Sequence, residues 1–152
     1  MSAYRKILVA VDGSPAAAKG LREAMRLAKA ERAGLFILHV VDEFYAFAIP
    51  EPTAPAVDLV PLLREGGRRI LAKAEALARK QGLKPRTALR ETIGGPAAYH
   101  ILREAKRQRA DLIVLGTHGR RGVRRLVLGS DAEQVVRTAS VPVLLVRAAR
   151  AR

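Results

Sequence analysis

The chain has 152 residues, the length of one ordinary domain, and 49% of them are apolar, enough to fill a substantial core. Lysine and arginine together number 28 against 14 acidic residues, and the resulting formal charge of +14 is compatible with acidic partners such as phosphate groups, nucleic acid or a membrane surface, but we interpret it mostly as a solvated surface. The absence of cysteine excludes disulfides and thiolate metal sites, and no apolar stretch approaches the length of a membrane span.

The first part of the chain predicts two buried strands with a helix between them. The apolar run KILVAV at residues 6–11 is typical of a strand, and the DGSP that follows predicts a turn and a helix capped by Ser14. Apolar side chains at helical spacing continue until Ala33 and Gly34, where we expect the helix to end. The run LFILHVV at 35–41 is the second strand. The N-terminus shows neither a cleavage-like site nor a long apolar segment, so we expect a cytoplasmic protein.

A long loop is expected after the second strand. Residues 42–61 contain four prolines, which resist regular structure. Phe44, Tyr45 and Phe47 within this segment could cover a ligand or pack the loop onto the sheet, and packing is the interpretation we favour.

The second part of the chain repeats the alternation of helices and strands. A helix is predicted from about Leu62 to Gln81, followed by Gly82 as its cap. The later elements are a polar strand at 86–92, a helix opened by Gly94, Gly95 and Pro96, an apolar strand at 111–116, a helix through Ala132 and Val135, and a last strand at 141–147.

This order predicts an α/β fold: an open five-stranded parallel sheet with helices on both faces, joined by right-handed crossovers. The three continuous apolar runs require burial on both faces and belong inside the sheet, whereas the polar strand 86–92 and the proline-containing strand 141–147 suit its edges. An apolar edge strand invites pairing with another chain. We therefore predict a homodimer through Val141 to Val146.

In such sheets, ligands bind beyond the carboxyl ends of the strands. Three stretches end there: Asp12 to Ser14, Val41 with the loop after it, and the segment GTHGRRGVRRLVLGSDAE at 116–133. That segment leads into a helix whose first N–H groups and dipole favour an anion. Ser130 could cap this helix or donate its hydroxyl to a phosphate oxygen. Arginines in the segment could add charge-assisted hydrogen bonds.

Several site classes are disfavoured by missing patterns. The sequence has no Gly-x-x-x-x-Gly-Lys-Ser/Thr loop, no Gly-x-Gly-x-x-Gly after the first strand and no Gly-x-Ser-x-Gly elbow. His39, His100 and His118 lack metal-ligand spacing and are interpreted as structural or solvated, although His118 could donate to a phosphate when protonated. Three Tyr, three Phe and no Trp give no stacking stripe for nucleic acid.

The spacing of Gly116, Gly119, Gly129 and Ser130 resembles the nucleotide-binding signature of ATP-binding universal stress proteins. The likeness extends to ILVAVDGS, LHVVD, ADLIVLGTHGRRG and AEQVVRTASVPVLLV, and so spans nearly the whole chain. It implies a Rossmann-like, adenine nucleotide alpha hydrolase-like fold with strand order 3-2-1-4-5. It also implies one nucleotide-binding domain, residues 1–148, before a basic tail at 149–152.

The resemblance further implies ATP, with Mg²⁺, as the ligand, while no metal-binding residue is assigned. Asp12 and Val41 would lie near the adenine and ribose, Val41 through its backbone, and Gly116 near the ribose. The phosphates would be surrounded by Gly119, Gly129 and Ser130. Asp12 could instead act only as a turn or cap residue.

Asp131 departs from the aliphatic residue that many relatives have after the Gly-Ser pair. A carboxylate in the first helical turn favours the helix dipole, but it would repel a triphosphate unless it points outward or meets a divalent cation.

The function we expect is a nucleotide-binding regulatory module in the stress response, which acts through nucleotide-dependent conformation and partner binding. Alternatives are a slow ATPase or self-phosphorylating enzyme, for which the sequence shows no dedicated base, and a less favoured nucleic-acid-binding protein.

Overall fold

The computed structural model describes residues 1–44, 59–117 and 128–148. Strands and helices alternate along these ranges as the sequence predicts. The elements with defined bounds are β1 (Lys6–Ala10), α1 (Pro15–Glu31), β2 (Gly34–Asp42), α2 (Val60–Lys80), β3 (Arg86–Thr92), α3 (Ala97–Gln108), β4 (Leu112–Gly116), α4 (Ser130–Thr138) and β5 (Val143–Val146). Within the described residues, no helix is both long and apolar enough to cross a membrane.

The five strands form one parallel sheet in the order β3-β2-β1-β4-β5. Leu8 of β1 lies in register with Phe36 of β2 on one side and Ile113 of β4 on the other. The predicted strand order is therefore confirmed, as is the placement of the polar and the proline-containing strands at the two edges.

Two hydrophobic clusters fill the two faces of the sheet. Because neighbouring side chains of a strand point to opposite faces, Leu8 and Val9 of β1 are both fully buried, but in different clusters. One face packs against α1 and α2, and the other against α3 and α4. The inner strands thus anchor a rigid sheet, and the loops at its ends are positioned by it.

The ends of the first two helices differ in how well the sequence predicts them. Ser14 caps α1 as expected, since its Oγ accepts the N–H of Ala17 at 3.1 Å. The prediction that α1 ends at Ala33 and Gly34 was wrong: the helix stops at Glu31, Arg32 takes the left-handed conformation with φ +55°, and Gly34 already begins β2. Gly82 follows α2 with φ +82°, as its predicted capping role requires.

Candidate functional site

A cleft of about 820 Å³ opens at the carboxyl ends of the parallel strands. Its walls come from the β1–α1 turn, the end of β2, the β3–α3 turn, the end of β4 and the start of α4. The chain leaves β1 toward one face of the sheet and leaves β4 toward the other, so the cleft lies at the switch point where ligands bind in such folds. Its volume is within the range of small-molecule sites.

Asp12 lies on the cleft wall and also shapes the turn after β1. Its Oδ1 accepts the N–H of Ser14 at 2.9 Å, and Gly13 between them has φ +82°, a conformation that favours glycine. The turn role considered for Asp12 is therefore present, and the same residue borders the cleft.

Val41 and His39 of β2 form part of the cleft wall. Val41 is buried, and α2 approaches it so closely at Gly67 that a Cβ there would lie 2.8 Å from Val41 Cγ2. His39 is also buried, and its Nδ1 lies 2.6 Å from the carbonyl oxygen of Val11. Since a carbonyl only accepts, this nitrogen donates, and His39 ties β2 to the end of β1.

Gly116 ends β4 beneath the first turn of α1. A Cβ at this position would lie 2.5 Å from the carbonyl carbon of Ala16 and 2.7 Å from the backbone nitrogen of Ala17. Such distances exclude a side chain, so the packing of α1 alone requires glycine here. Gly116 nevertheless borders the cleft.

The start of α4 presents backbone donors toward the cleft. Gly129 is the N-cap, its own N–H donates to Thr117 O at 3.1 Å, and its carbonyl accepts from Glu133 at 2.9 Å. Ser130 is exposed and is the first helical residue. It is therefore not the N-cap of α4, a role that the sequence permitted. Among the described residues, the N–H groups of Ser130, Asp131 and Ala132 find no acceptor. These are the donors that a helix start offers to an anion.

Asp131 contacts the neighbouring helix. Its Oδ1 accepts the N–H of Ala98 at 3.0 Å, and so caps α3, whose own N-cap residue, Pro96, supplies no side-chain acceptor. The carboxylate therefore does not point outward but forms part of the cleft wall between the starts of α3 and α4.

One wall of the cleft, the β3–α3 turn, was not predicted from the sequence. Asp42, in the predicted stretch after Val41, fastens this turn to the cleft, because its Oδ1 accepts the N–H groups of Phe44 at 2.9 Å and Gly94 at 3.0 Å. The signal was the GGPA stretch at 94–97, which follows a strand whose carboxyl end must meet the same sheet edge. The local pattern of those residues indicates only the opening of a helix.

The described lining of the cleft is acidic. Its charged residues are Asp12, Asp42 and Asp131, and no lysine or arginine belongs to the part of the lining that the structure describes. Other sequence candidates lie outside the described residues: Gly119, His118, the arginines between them and α4, and the loop aromatics Tyr45 and Phe47. His100, outside the cleft lining, packs edge-on against the ring of Tyr99 at 5.4 Å.

Comparison with known proteins gives consistent matches over the whole fold. The model of the universal stress protein family matches residues 3–147. A universal stress protein of Methanocaldococcus jannaschii is 35% identical over 144 residues, which cover 95% of this chain and 82% of that protein. A crystal structure from the same family, from Burkholderia pseudomallei, has 35% identity and a TM-score of 0.74, covering 94% of this chain and 96% of that one. A universal stress protein crystallised with cAMP has 25% identity and a TM-score of 0.67, covering 97% of this chain and 100% of that one.

Proposed function

The chain belongs to the universal stress protein family, and we propose that it is a cytoplasmic regulatory module that binds an adenine nucleotide in the cleft. The proposed ligand is ATP with Mg²⁺. The bound nucleotide changes the conformation of the protein, and a partner in the stress response recognises that conformation. The free energy of nucleotide binding, and not catalytic turnover, drives this change. The observation that carries the proposal is the start of α4, where backbone N–H groups that have no acceptor among the described residues line the cleft next to Gly129, which no described neighbour requires to be glycine.

Gly129 supports this proposal through its surroundings. Its φ of −55° suits any residue, and an added Cβ would meet only Thr117 O, at an ordinary 3.7 Å. Glycine is one of the residues favoured at a helix N-cap, but neither its backbone conformation nor a described neighbour demands it over the other capping residues. A glycine here also permits close approach of a phosphate to the backbone.

The other proposed contacts follow the cleft wall. Asp12 and the backbone of Val41 would hold the adenine and ribose, Gly116 would lie near the ribose, and Gly129 and Ser130 would hold the phosphates. Gly119, beyond the described residues, would complete the phosphate site. The cAMP complex of the related protein supports an adenine nucleotide as the class of ligand.

Mg²⁺ fits this site only in company with the nucleotide. No group of three potential metal-binding side chains occurs among the described residues. Mg²⁺ commonly keeps several waters and is held by substrate phosphates with one or two carboxylates. Asp12 or Asp131 would supply such a carboxylate, and the cation would neutralise phosphate charge.

Adding a single methyl group at Gly129 tests the proposed phosphate site. Gly129→Ala adds a Cβ that the described neighbours accommodate, so we expect the unfolding free energy to fall only by about 1 kcal/mol or less, because alanine is a poorer N-cap than glycine. We expect nucleotide affinity to fall about tenfold or more, because the added group blocks close approach of phosphate. Ser130→Ala should also weaken binding by removing a hydroxyl donor. Calorimetric titration with ATP and AMP gives the affinities.

Two matched controls make the comparison specific. Gly66→Ala changes a helical glycine whose Cβ would meet nothing within 4 Å, and Ser140→Ala removes an exposed hydroxyl outside the cleft. Both should bind like the unmodified protein. Unchanged affinity in both Gly129→Ala and Ser130→Ala would contradict the proposed phosphate site.

The homodimer through Val141 to Val146 remains part of the proposal. Among the described strands, β5 pairs with β4 alone, and its four residues are each half-buried. An apolar strand with one unpaired edge supports a partner strand there.

A further inference from the structure

Asp131 occupies an unusual place between two helix starts. It belongs to the first turn of α4, and its Oδ1 receives the N–H of Ala98 in the first turn of α3 at 3.0 Å. Both helix dipoles therefore favour its negative charge. Turning the side chain away would leave α3 without this cap, so the carboxylate is held on the cleft wall.

The position of this carboxylate brings it next to the proposed phosphate donors. Asp131 directly follows Gly129 and Ser130, and all three line the cleft. The other two charged residues of the described lining are also carboxylates. Each phosphate charge added next to Gly129 and Ser130 therefore meets repulsion from the Asp131 carboxylate.

We infer that Asp131 determines which net charge of the nucleotide the cleft prefers. This inference rests on the proposed nucleotide site. Asp131 disfavours free ATP relative to AMP, and a divalent cation on the triphosphate relieves the penalty. The inferred ligands are thus a nucleoside monophosphate or a metal-neutralised triphosphate. Like charges placed together are a common means of rejecting the wrong ligand.

The variant Asp131→Asn separates charge from structure. Asparagine keeps a carbonyl oxygen for the N–H of Ala98 and is as good a helix cap as aspartate. In calorimetric titrations with EDTA, we expect the variant to raise affinity for ATP relative to AMP by about tenfold, a change of the size that removal of one nearby like charge produces. With excess Mg²⁺ the gain should shrink.

Glu133→Gln is the matched control, because it removes a carboxylate from the same helical turn. Glu133 pairs with Arg137 at 2.7 Å and does not line the cleft. This variant should leave the ATP-to-AMP affinity ratio unchanged. A thermal melt of each variant shows whether α3 and α4 remain folded.

The outcomes distinguish the inference from the function on which it rests. If the protein binds both nucleotides but Asp131→Asn leaves their affinity ratio unchanged in EDTA, the charge role of Asp131 is wrong and the nucleotide site stands. An equal change in Glu133→Gln would likewise contradict a local role. Failure of the unmodified protein to bind either nucleotide would overturn the proposed function and this inference together.

Discussion

Two glycines of the candidate site differ in the space that surrounds them. Gly116 has no room for a side chain, because the backbone of α1 lies within 3 Å of where its Cβ would be. Gly129 has room, with Thr117 O at 3.7 Å as the described neighbour. A glycine signature read from sequence therefore combines a packing requirement with a candidate ligand requirement, and only the structure separates them.

Gly116→Ala should damage the fold. The new methyl group would force the first turn of α1 away from β4, and overpacking of this kind costs about 1–3 kcal/mol of unfolding free energy. Urea unfolding measures the loss. Gly66→Ala is the control, since its open helical position should make the protein more stable by up to about 1 kcal/mol. Equal stability of Gly116→Ala and the unmodified protein would show that α1 shifts without cost.

At the scale of elements, α3 is fastened to the edge strand β3 by a buried carboxylate. Glu104 of α3 is 2% exposed and accepts hydrogen bonds from Arg90 Nε at 3.0 Å, Arg90 Nη2 at 3.2 Å and Gln108 Nε2 at 2.7 Å. Burial by itself would raise the pKa of Glu104. The hydrogen bonds from Gln108 and Arg90, with the charges of Arg90 and Arg107, outweigh it and hold the pKa below its ordinary value.

The lowered pKa predicts a pH-dependent contribution to stability. A carboxyl group whose pKa falls on folding stabilises the protein above its unfolded pKa, about 4.3 for Glu, and loses that contribution as pH drops through the folded value. Glu104→Gln should therefore lower the unfolding free energy by about 1–3 kcal/mol at pH 7.

Urea unfolding of Glu104→Gln at pH 7 and at lower pH checks this expectation. The difference from the unmodified protein should narrow as the pH falls below the unfolded pKa, about 4.3 for Glu, toward the lower folded pKa of Glu104. Glu133→Gln, in an exposed ion pair with Arg137, should have little effect at either pH. A deficit of Glu104→Gln that is the same at both pH values would mean that lost packing, not lost charge, causes it.

Local sequence patterns predicted the strands and helices, but they did not predict contacts between residues that are far apart in the chain. Continuous apolar runs identified the inner strands, and polarity and proline identified the edges, because burial on one or both faces leaves a direct record in the sequence. Arg32 ending α1 was not predicted, since glycine is the usual left-handed residue and Gly34 stood nearby. Nothing local links Glu104 to Arg90 or Asp131 to Ala98, because each pair joins separate elements.

The same distinction between local patterns and long-range contacts applies to the candidate site. The location of the cleft could be predicted, because the carboxyl ends of parallel strands meet at one edge and Asp12, Val41 and Gly129 each lie just there. The wall formed by the β3–α3 turn could not, because it depends on a hydrogen bond between Gly94 and Asp42, which are 52 positions apart. The roles of these residues toward a ligand remain predictions.

At the scale of the whole molecule, the net charge opposes dimer formation, whereas the apolar edge strand β5 favours it. A formal charge of +14 makes two copies repel, most strongly at low ionic strength. The side of β5 that pairs with no other described strand favours association through backbone hydrogen bonds and apolar side chains. A dimer formed at this edge should therefore become tighter as salt screens the repulsion.

Val143→Lys tests the proposed dimer. Val143 is half-buried and pairs with Ile113 inside the subunit, so a lysine there can extend its ammonium group into solvent in a monomer but would bring charge into a strand-to-strand interface. We expect light scattering to give the mass of a monomer, 16.5 kDa, for the variant and twice that mass for the unmodified protein. Leu62→Lys, at an exposed leucine of α2, is the control and should remain dimeric. Circular dichroism must show both variants folded, and a folded Val143→Lys dimer would refute the β5 interface.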